Sequence, residues 1–145
     1  MRIETLLRQN AQRWPDAAAV IGEDDELTWG ALDDASNRLA NALADRDHLQ
    51  HERIAIVVPN SPIVALSYFG AWKRNLVTVA INPRMTVAEI ERIIVHSGAR
   101  SLIASTPEAI AAAARCPDVR TTIGVGGVDG ADITLEQLLA DGDPA

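Results

Sequence analysis

Cations, cysteines and long apolar runs are all scarce in this 145-residue chain, and each shortage removes a class of function. Lysine and arginine together number 13 against 20 aspartates and glutamates, giving a net charge of −7 and a pI near 4.8. A nucleic-acid binder needs a basic face for phosphate contacts, so no nucleic-acid partner is expected. The same sign disfavours docking on anionic lipid. Lys73 is the single lysine. Cys116 is the single cysteine, which excludes an intramolecular disulfide and a cysteine-based metal site and fits a reducing cytoplasm. The longest apolar run, Ile63 to Trp72, contains Ser67 and Gly70 and falls far short of the roughly 20 residues that span a bilayer. No transmembrane segment is expected. Met1-Arg2-Ile3-Glu4-Thr5 has no apolar h-region, so no signal peptide is read there.

What is present is a 48% hydrophobic chain long enough for one domain or one large subdomain. Ile3, Leu6, Leu7, Asn10 and Trp14 fall at helical spacing and predict a helix over Glu4 to Arg13, ended before Pro15. Ala18 to Ile21, a turn at Gly22-Glu23-Asp24-Asp25 and Glu26 to Thr28 predict a small hairpin. From Gly30 a long helix is expected, with Leu32, Ala35, Leu39, Ala42 and Leu43 as its inner stripe. The pattern then alternates. Ile54 to Val58 is a continuous apolar run, as in a parallel strand buried on both faces. Ser61 and Pro62 predict a capped helix start, and Ile63 to Arg74, apolar almost all round, predicts a deeply buried helix. Strands are expected at Leu76 to Ile81, Ser101 to Ala104 and Thr121 to Val125. Thr86-Val87-Ala88-Glu89 is a capping box opening a helix that Gly98 ends as a left-handed cap. Thr106-Pro107 starts another helix through Arg115. Thr134 to Gln137 is a second capping box before a short helix to Ala140. The fold class is therefore α/β, a mainly parallel sheet with flanking helices plus a small N-terminal β-hairpin. Residues 1–140 read as one α/β subdomain and 141–145 as a truncated linker.

Several motifs invite chemistry and fail in detail. Gly124 to Gly130 is glycine-rich, but the last position of a dinucleotide fingerprint is Asp129, and the next helix starts too late for its N-terminus to meet a phosphate. A flexible connection is the stronger reading. The acidic run Glu23 to Glu26 matches no EF-hand spacing and reads as a solvated turn. His48, His51 and Glu52 lack an obvious further metal ligand. His96 suits the C-terminal end of a helix, where its charged form complements the dipole. Cys116 has no histidine close in sequence and reads as structural. Asn60-Ser61-Pro62 and Asn82-Pro83-Arg84 each follow the carboxyl end of a parallel strand, the edge where ligands sit in open α/β sheets. Capped turns are the stronger reading of both. No catalytic, cofactor-binding or metal-ligating residue is assigned.

The order of these elements carries a resemblance. Leu27-Thr28-Trp29-Gly30-Ala31-Leu32 with Asn37-Arg38-Leu39-Ala40, then Arg53-Ile54-Ala55-Ile56-Val57-Val58-Pro59-Asn60-Ser61, then Leu76-Val77-Thr78-Val79-Ala80-Ile81-Asn82-Pro83-Arg84, resembles the early part of acyl-CoA synthetases of the adenylate-forming, AMP-binding superfamily. Glu89, Ser97-Gly98-Ala99 and the opening Trp14-Pro15-Asp16-Ala17 fit in order. Two positions depart. Asn75 stands where glycine is usual, and Ala80 stands for a proline; asparagine also adopts the left-handed conformation, so the turn at Asn75 is expected to survive. The resemblance implies an N-terminal fragment of a cytoplasmic ligase that joins a fatty or related carboxylic acid to coenzyme A. For the full-length enzyme it implies ATP, magnesium and coenzyme A. The Pro-Lys-Gly phosphate loop, the Thr-Glu pair, the ribose aspartate and the adenylating lysine of such enzymes are not among these residues, and Lys73 is no substitute. The fragment is therefore expected to bind no cofactor and to be inactive alone. Its expected partners are the rest of the parent enzyme and a second copy, through apolar surface that the parent would cover. A freestanding α/β binding or interaction module derived from such an enzyme is the alternative.

Overall fold

The computed structural model describes residues 2–46, 48 and 50–145. The chain runs α1 (Ile3–Arg13), β1 (Ala18–Ile21), β2 (Glu26–Thr28), α2 (Trp29–Ala44), β3 (Arg53–Val57), α3 (Pro62–Lys73), β4 (Val77–Ala80), α4 (Val87–Ser97), β5 (Ser101–Ala104), α5 (Pro107–Ala114), β6 (Thr121–Gly124), β7 (Ile133–Thr134) and α6 (Leu135–Asp141). β1 and β2 form an antiparallel hairpin. The other five strands form one parallel sheet in the order β4-β3-β5-β6-β7.

The strand order dictates the layers. From β3 the chain crosses to β4 on one side, then returns past β3 to β5 on the other. Crossovers between parallel strands are right-handed, so the two connecting helices must lie on opposite faces. Two cores result. Leu32, Leu39 and Leu43 of α2, Leu66 and Ala71 of α3 and Leu138 of α6 pack against one face of the sheet. Ile90 and Ile94 of α4 and Ala109, Ala112 and Ala113 of α5 pack against the other. β5 is buried along its whole length and β3 from Ile54 onward, as continuous apolarity requires.

The caps follow the local chemistry. Thr28, Thr86, Thr106 and Thr134 each accept a hydrogen bond from a backbone N–H of the following turn. At Thr86 the box closes, because the Glu89 carboxylate accepts from the Thr86 backbone N–H at 2.8 Å. Gly98 ends α4 with φ of 68°, and Asn75 adopts φ of 61°, so the asparagine does take the left-handed turn.

Three features go beyond what the sequence predicts, and one expectation, the Ser61 cap, is corrected. The two-residue strand β7 is not legible in the sequence, being only Ile133 and Thr134. β4 lies at the sheet edge and is only half-buried, because it pairs with β3 alone among the described strands. Of the α1 stripe only Leu7 is buried; Ile3, Leu6 and Trp14 are about half exposed, at 50%, 47% and 51%. Ser61 does not cap α3 with its side chain. Pro62 has no N–H to offer, and Val64 N–H is already bonded to the Ser61 carbonyl at 3.0 Å.

Candidate functional site

The carboxyl ends of β3 and β4 open into a hollow of about 590 Å³. β3 is followed by a helix on one face, while its neighbours β4 and β5 are followed by helices on the other. The strand ends therefore diverge around β3, which is the position where open α/β sheets hold ligands. Ile56, Val58, Val64 and Tyr68 supply an apolar wall, and Asn60, Asn82 and Arg84 bring polar groups to it. A second hollow of about 480 Å³ adjoins it, sharing Asn60, Val64 and Tyr68 and reaching to Val20 and Ile21 of the hairpin.

The two strand-end turns singled out in the sequence are thus brought together. Each is also a structured turn. Asn82 accepts through Oδ1 from Arg84 N–H at 2.9 Å and through its carbonyl from Met85 N–H at 3.2 Å. Ser61 Oγ is buried without a hydrogen-bond partner among the described residues, on the border of the second hollow. Sequence reasoning missed Val64, Ala65 and Tyr68. The apolar surface of α3 predicts a deeply buried helix, whereas the structure buries Leu66, Ser67, Gly70 and Ala71 and leaves these three half-buried along the hollow. The available signal was the absence of any polar stripe on α3, which fits a helix flanked by a cavity as well as one enclosed by protein. Tyr68 stacks on Trp72 with ring centroids 5.3 Å apart, which stiffens the wall.

The other candidates lie elsewhere. The Gly124–Gly130 segment joins β6 to β7, two strands of one sheet, and the next helix, α6, starts only at Leu135, after β7. Its base is closed by Asp132, whose carboxylate accepts from Thr122 N–H at 2.8 Å. The acidic run is an exposed hairpin tip held by a bond from Gly22 N–H to the Asp25 carbonyl, 2.7 Å. His48 is buried, with Nδ1 3.1 Å from the Leu43 carbonyl, whereas His51 is exposed and Glu52 pairs with Arg120. Burial holds the His48 imidazole below its ordinary pKa, an effect opposed by the Leu43 carbonyl and Glu52 and assisted by Arg120 and Arg46. His96 stands exposed in the last turn of α4. Cys116 is buried with Sγ donating to the Ala112 carbonyl, and burial pushes its thiol up in pKa, away from the reactive thiolate. Among the described residues no group of three His, Cys, Asp or Glu side chains could hold a metal ion.

Lys73 is committed to the scaffold. Its ammonium donates to Asp33 Oδ1 at 2.6 Å, to the Asp33 carbonyl at 3.1 Å and to Asn37 Oδ1 at 2.7 Å, tying α3 to α2. Burial lowers its pKa, and the Asp33 hydrogen bond opposes that shift. No histidine, cysteine, lysine or carboxylate lines the larger of the two cavities. Among the described residues no helix is long and apolar enough to cross a membrane.

Residues 7–144 match the family described as AMP-binding enzyme. The chain is 32% identical over 125 residues to a 4-hydroxybenzoate–CoA/benzoate–CoA ligase of Rhodopseudomonas palustris, covering 84% of this chain and 23% of that one. It is 30% identical over 106 residues to the long-chain-fatty-acid–CoA ligase FadD13 of Mycobacterium tuberculosis, covering 72% of this chain and 21% of that one. The solved N-terminal domain of FACL13 from Mycobacterium tuberculosis superimposes on all of this chain with a TM-score of 0.84 at 26% identity, the match taking in 37% of that domain. The anthranilate CoA ligase AuaEII shares the fold at a TM-score of 0.90 and 20% identity, over 29% of its chain.

Proposed function

Because the chain belongs to the AMP-binding enzyme family, we propose that it is the N-terminal scaffold part of an ATP-dependent acid–CoA ligase and performs no adenylation alone. The observation that carries this reading is coverage: the match runs through nearly the whole chain, yet spans 23% and 21% of the two ligases to which it is similar. In the longer enzyme the carboxylate of a fatty or related acid attacks the α-phosphate of ATP, releasing pyrophosphate. The coenzyme A thiol then displaces AMP from the acyl-adenylate. Such steps need positive charge and oriented donors at phosphorus. In this chain Lys73 is already bonded to Asp33 and Asn37. Magnesium, implied for the longer enzyme, finds no fitting cluster of ligands among the described residues.

The part played by this chain is a wall. The hollow at the ends of β3 and β4, with Val64 and Tyr68 at its back, is the surface that the remaining enzyme packs over or shares with its ligand. The exposed Ile3, Leu6, Trp14 and Val77 suit the same interpretation, and a second copy covers them when the remainder is missing. The chain is assigned to fatty-acid or related carboxylic-acid metabolism in the cytoplasm, supported by its relatives' names and by its single buried cysteine.

ATP–pyrophosphate exchange tests the reading. The purified 145-residue protein is expected to show none with fatty or aromatic acids, and measurable exchange overturns the proposal. Reading the coding DNA beyond Ala145 separates the ligase fragment, which continues into a phosphate loop, from a freestanding module, which does not. Light scattering is expected to show concentration-dependent dimerisation; a monodisperse monomer at all concentrations overturns that part.

A further inference from the structure

The last four residues lie against α2, and each of their backbone carbonyls is taken by a side chain of that helix. Arg38 Nη1 donates to the Gly142 carbonyl at 3.3 Å. Asn41 Nδ2 donates to the Asp143 carbonyl at 2.7 Å and to the Ala145 carbonyl at 3.1 Å. Asn37 Nδ2 donates to the Pro144 carbonyl at 3.0 Å. Four consecutive carbonyls bound by three side chains on neighbouring turns of one helix hold the tail by its backbone, and Ala145 N–H bonded to Asp143 Oδ1 at 2.8 Å turns its end.

The donors are themselves oriented. Lys73 Nζ donates to Asn37 Oδ1 at 2.7 Å, which decides the amide's orientation and turns its Nδ2 toward the tail. Asp34 accepts from Arg38 Nε at 2.9 Å, leaving the far end of the guanidinium for Gly142. A separate observation comes from the tail. Gly142 is buried, and a Cβ there would lie 2.1 Å from the Arg38 carbonyl oxygen, a backbone atom that cannot swing away. The tail approaches α2 closely only because residue 142 has no side chain.

From this geometry we infer that Asn37, Arg38 and Asn41 form a clamp that sets the path of residues 142–145 and so the direction in which any following segment leaves. They are positioning residues of a joint. The consequence for catalysis rests on the ligase reading above: the segment after residue 145 starts from a point fixed on α2, not from a loose tether. The clamp itself does not depend on that reading.

The test measures direction, not activity. Spin labels are placed on a cysteine appended after Ala145 and on Glu108→Cys of α5, in a Cys116→Ser background. Pulsed dipolar spectroscopy of the otherwise unaltered chain is expected to give one narrow distance distribution. Asn41→Ala combined with Arg38→Met is expected to abolish the single distance and broaden the distribution at an unchanged melting temperature. If those changes unfold the chain, Gly142→Ala reads the same joint from the tail and is expected to give the same broadening. A distribution that is already broad in the parent chain, or that stays narrow in the variants, overturns the clamp. Either result is independent of pyrophosphate exchange, so failure of the clamp and failure of the ligase reading are told apart.

Discussion

Lys73 Nζ lies 2.6 Å from Asp33 Oδ1, and the lysine side chain is only 8% exposed. The pair joins the end of α3 to the first turns of α2, and its ammonium has two further acceptors in the Asp33 carbonyl and Asn37 Oδ1. Removing the cation leaves three oxygens short of a donor in a largely dry place. Because Asp33 keeps some contact with water, the cost is smaller than for a fully enclosed pair. Lys73→Met is expected to lower the free energy of unfolding by about 2 kcal/mol. Urea denaturation followed by tryptophan fluorescence measures this, and an unshifted midpoint would show the network contributes nothing.

Gly70 is where α3 meets α2. A Cβ there would come within 2.5 Å of Leu39 Cδ2 and 2.9 Å of Leu39 Cβ, so the helices approach through a missing side chain. Gly70→Ala gains helix propensity but overfills this contact, and the expected net loss is roughly 1–3 kcal/mol. Leu39→Ala, costly on its own, is expected to remove most of the clash. The double-mutant cycle should therefore show a favourable coupling between the two sites, whereas strict additivity would place the strain elsewhere.

His48 makes stability pH-dependent. Its folded pKa is depressed by burial, so the folded chain holds the imidazole neutral while the unfolded chain protonates near the ordinary value of about 6.5. The contribution is complete above that value and is lost as the pH falls below it toward the folded pKa. Glu89 also has a lowered pKa, from the Thr86 backbone and hydroxyl donors, but its stabilisation disappears only as the pH falls below the ordinary carboxylate value. The two windows are separate. Melting temperatures between pH 7.5 and 5.5 are expected to fall in the parent chain and to flatten in His48→Gln. An equal slope in both would remove His48 as the cause.

Much of this architecture was legible because it rests on short-range chemistry. Thr86 and Glu89 stand three residues apart, and the box they form needs no tertiary partner to be read. β3 and β5 announce their burial by apolar residues at every position, and the α2 stripe of Leu32, Leu39 and Leu43 is indeed enclosed. What stayed hidden depends on distance along the chain. That Tyr68 faces a cavity follows from where the hairpin and the ends of β3 and β4 come to rest, and no local pattern encodes it. Asn37 and Arg38 read as part of an outer polar face and Asn41 carries no local signal, because the acceptors of all three lie more than 100 residues away. Leu7, alone among the α1 stripe, is buried, because periodicity shows which side of a helix is apolar but not whether anything lies against it.

Ser61 and Thr86 open helices α3 and α4, and the sequence predicts a cap at each, with a full capping box at Thr86. The structure separates them. Thr86 Oγ1 accepts from Glu89 N–H and donates to the Glu89 carboxylate at 3.0 Å, so Thr86→Ala removes both bonds and is expected to cost about 1 kcal/mol. Ser61 Oγ has no partner among the described residues, and its backbone carbonyl does the capping instead. Ser61→Ala then removes a buried polar atom without breaking a bond, and its expected effect is close to zero or slightly stabilising. Chemical denaturation of the two variants side by side decides the matter. Equal losses would mean that Ser61 caps after all; loss at Thr86 alone would mean that α3 is started by Pro62 and a carbonyl, leaving the Ser61 hydroxyl at the border of the hollow as a donor with nothing yet to hold.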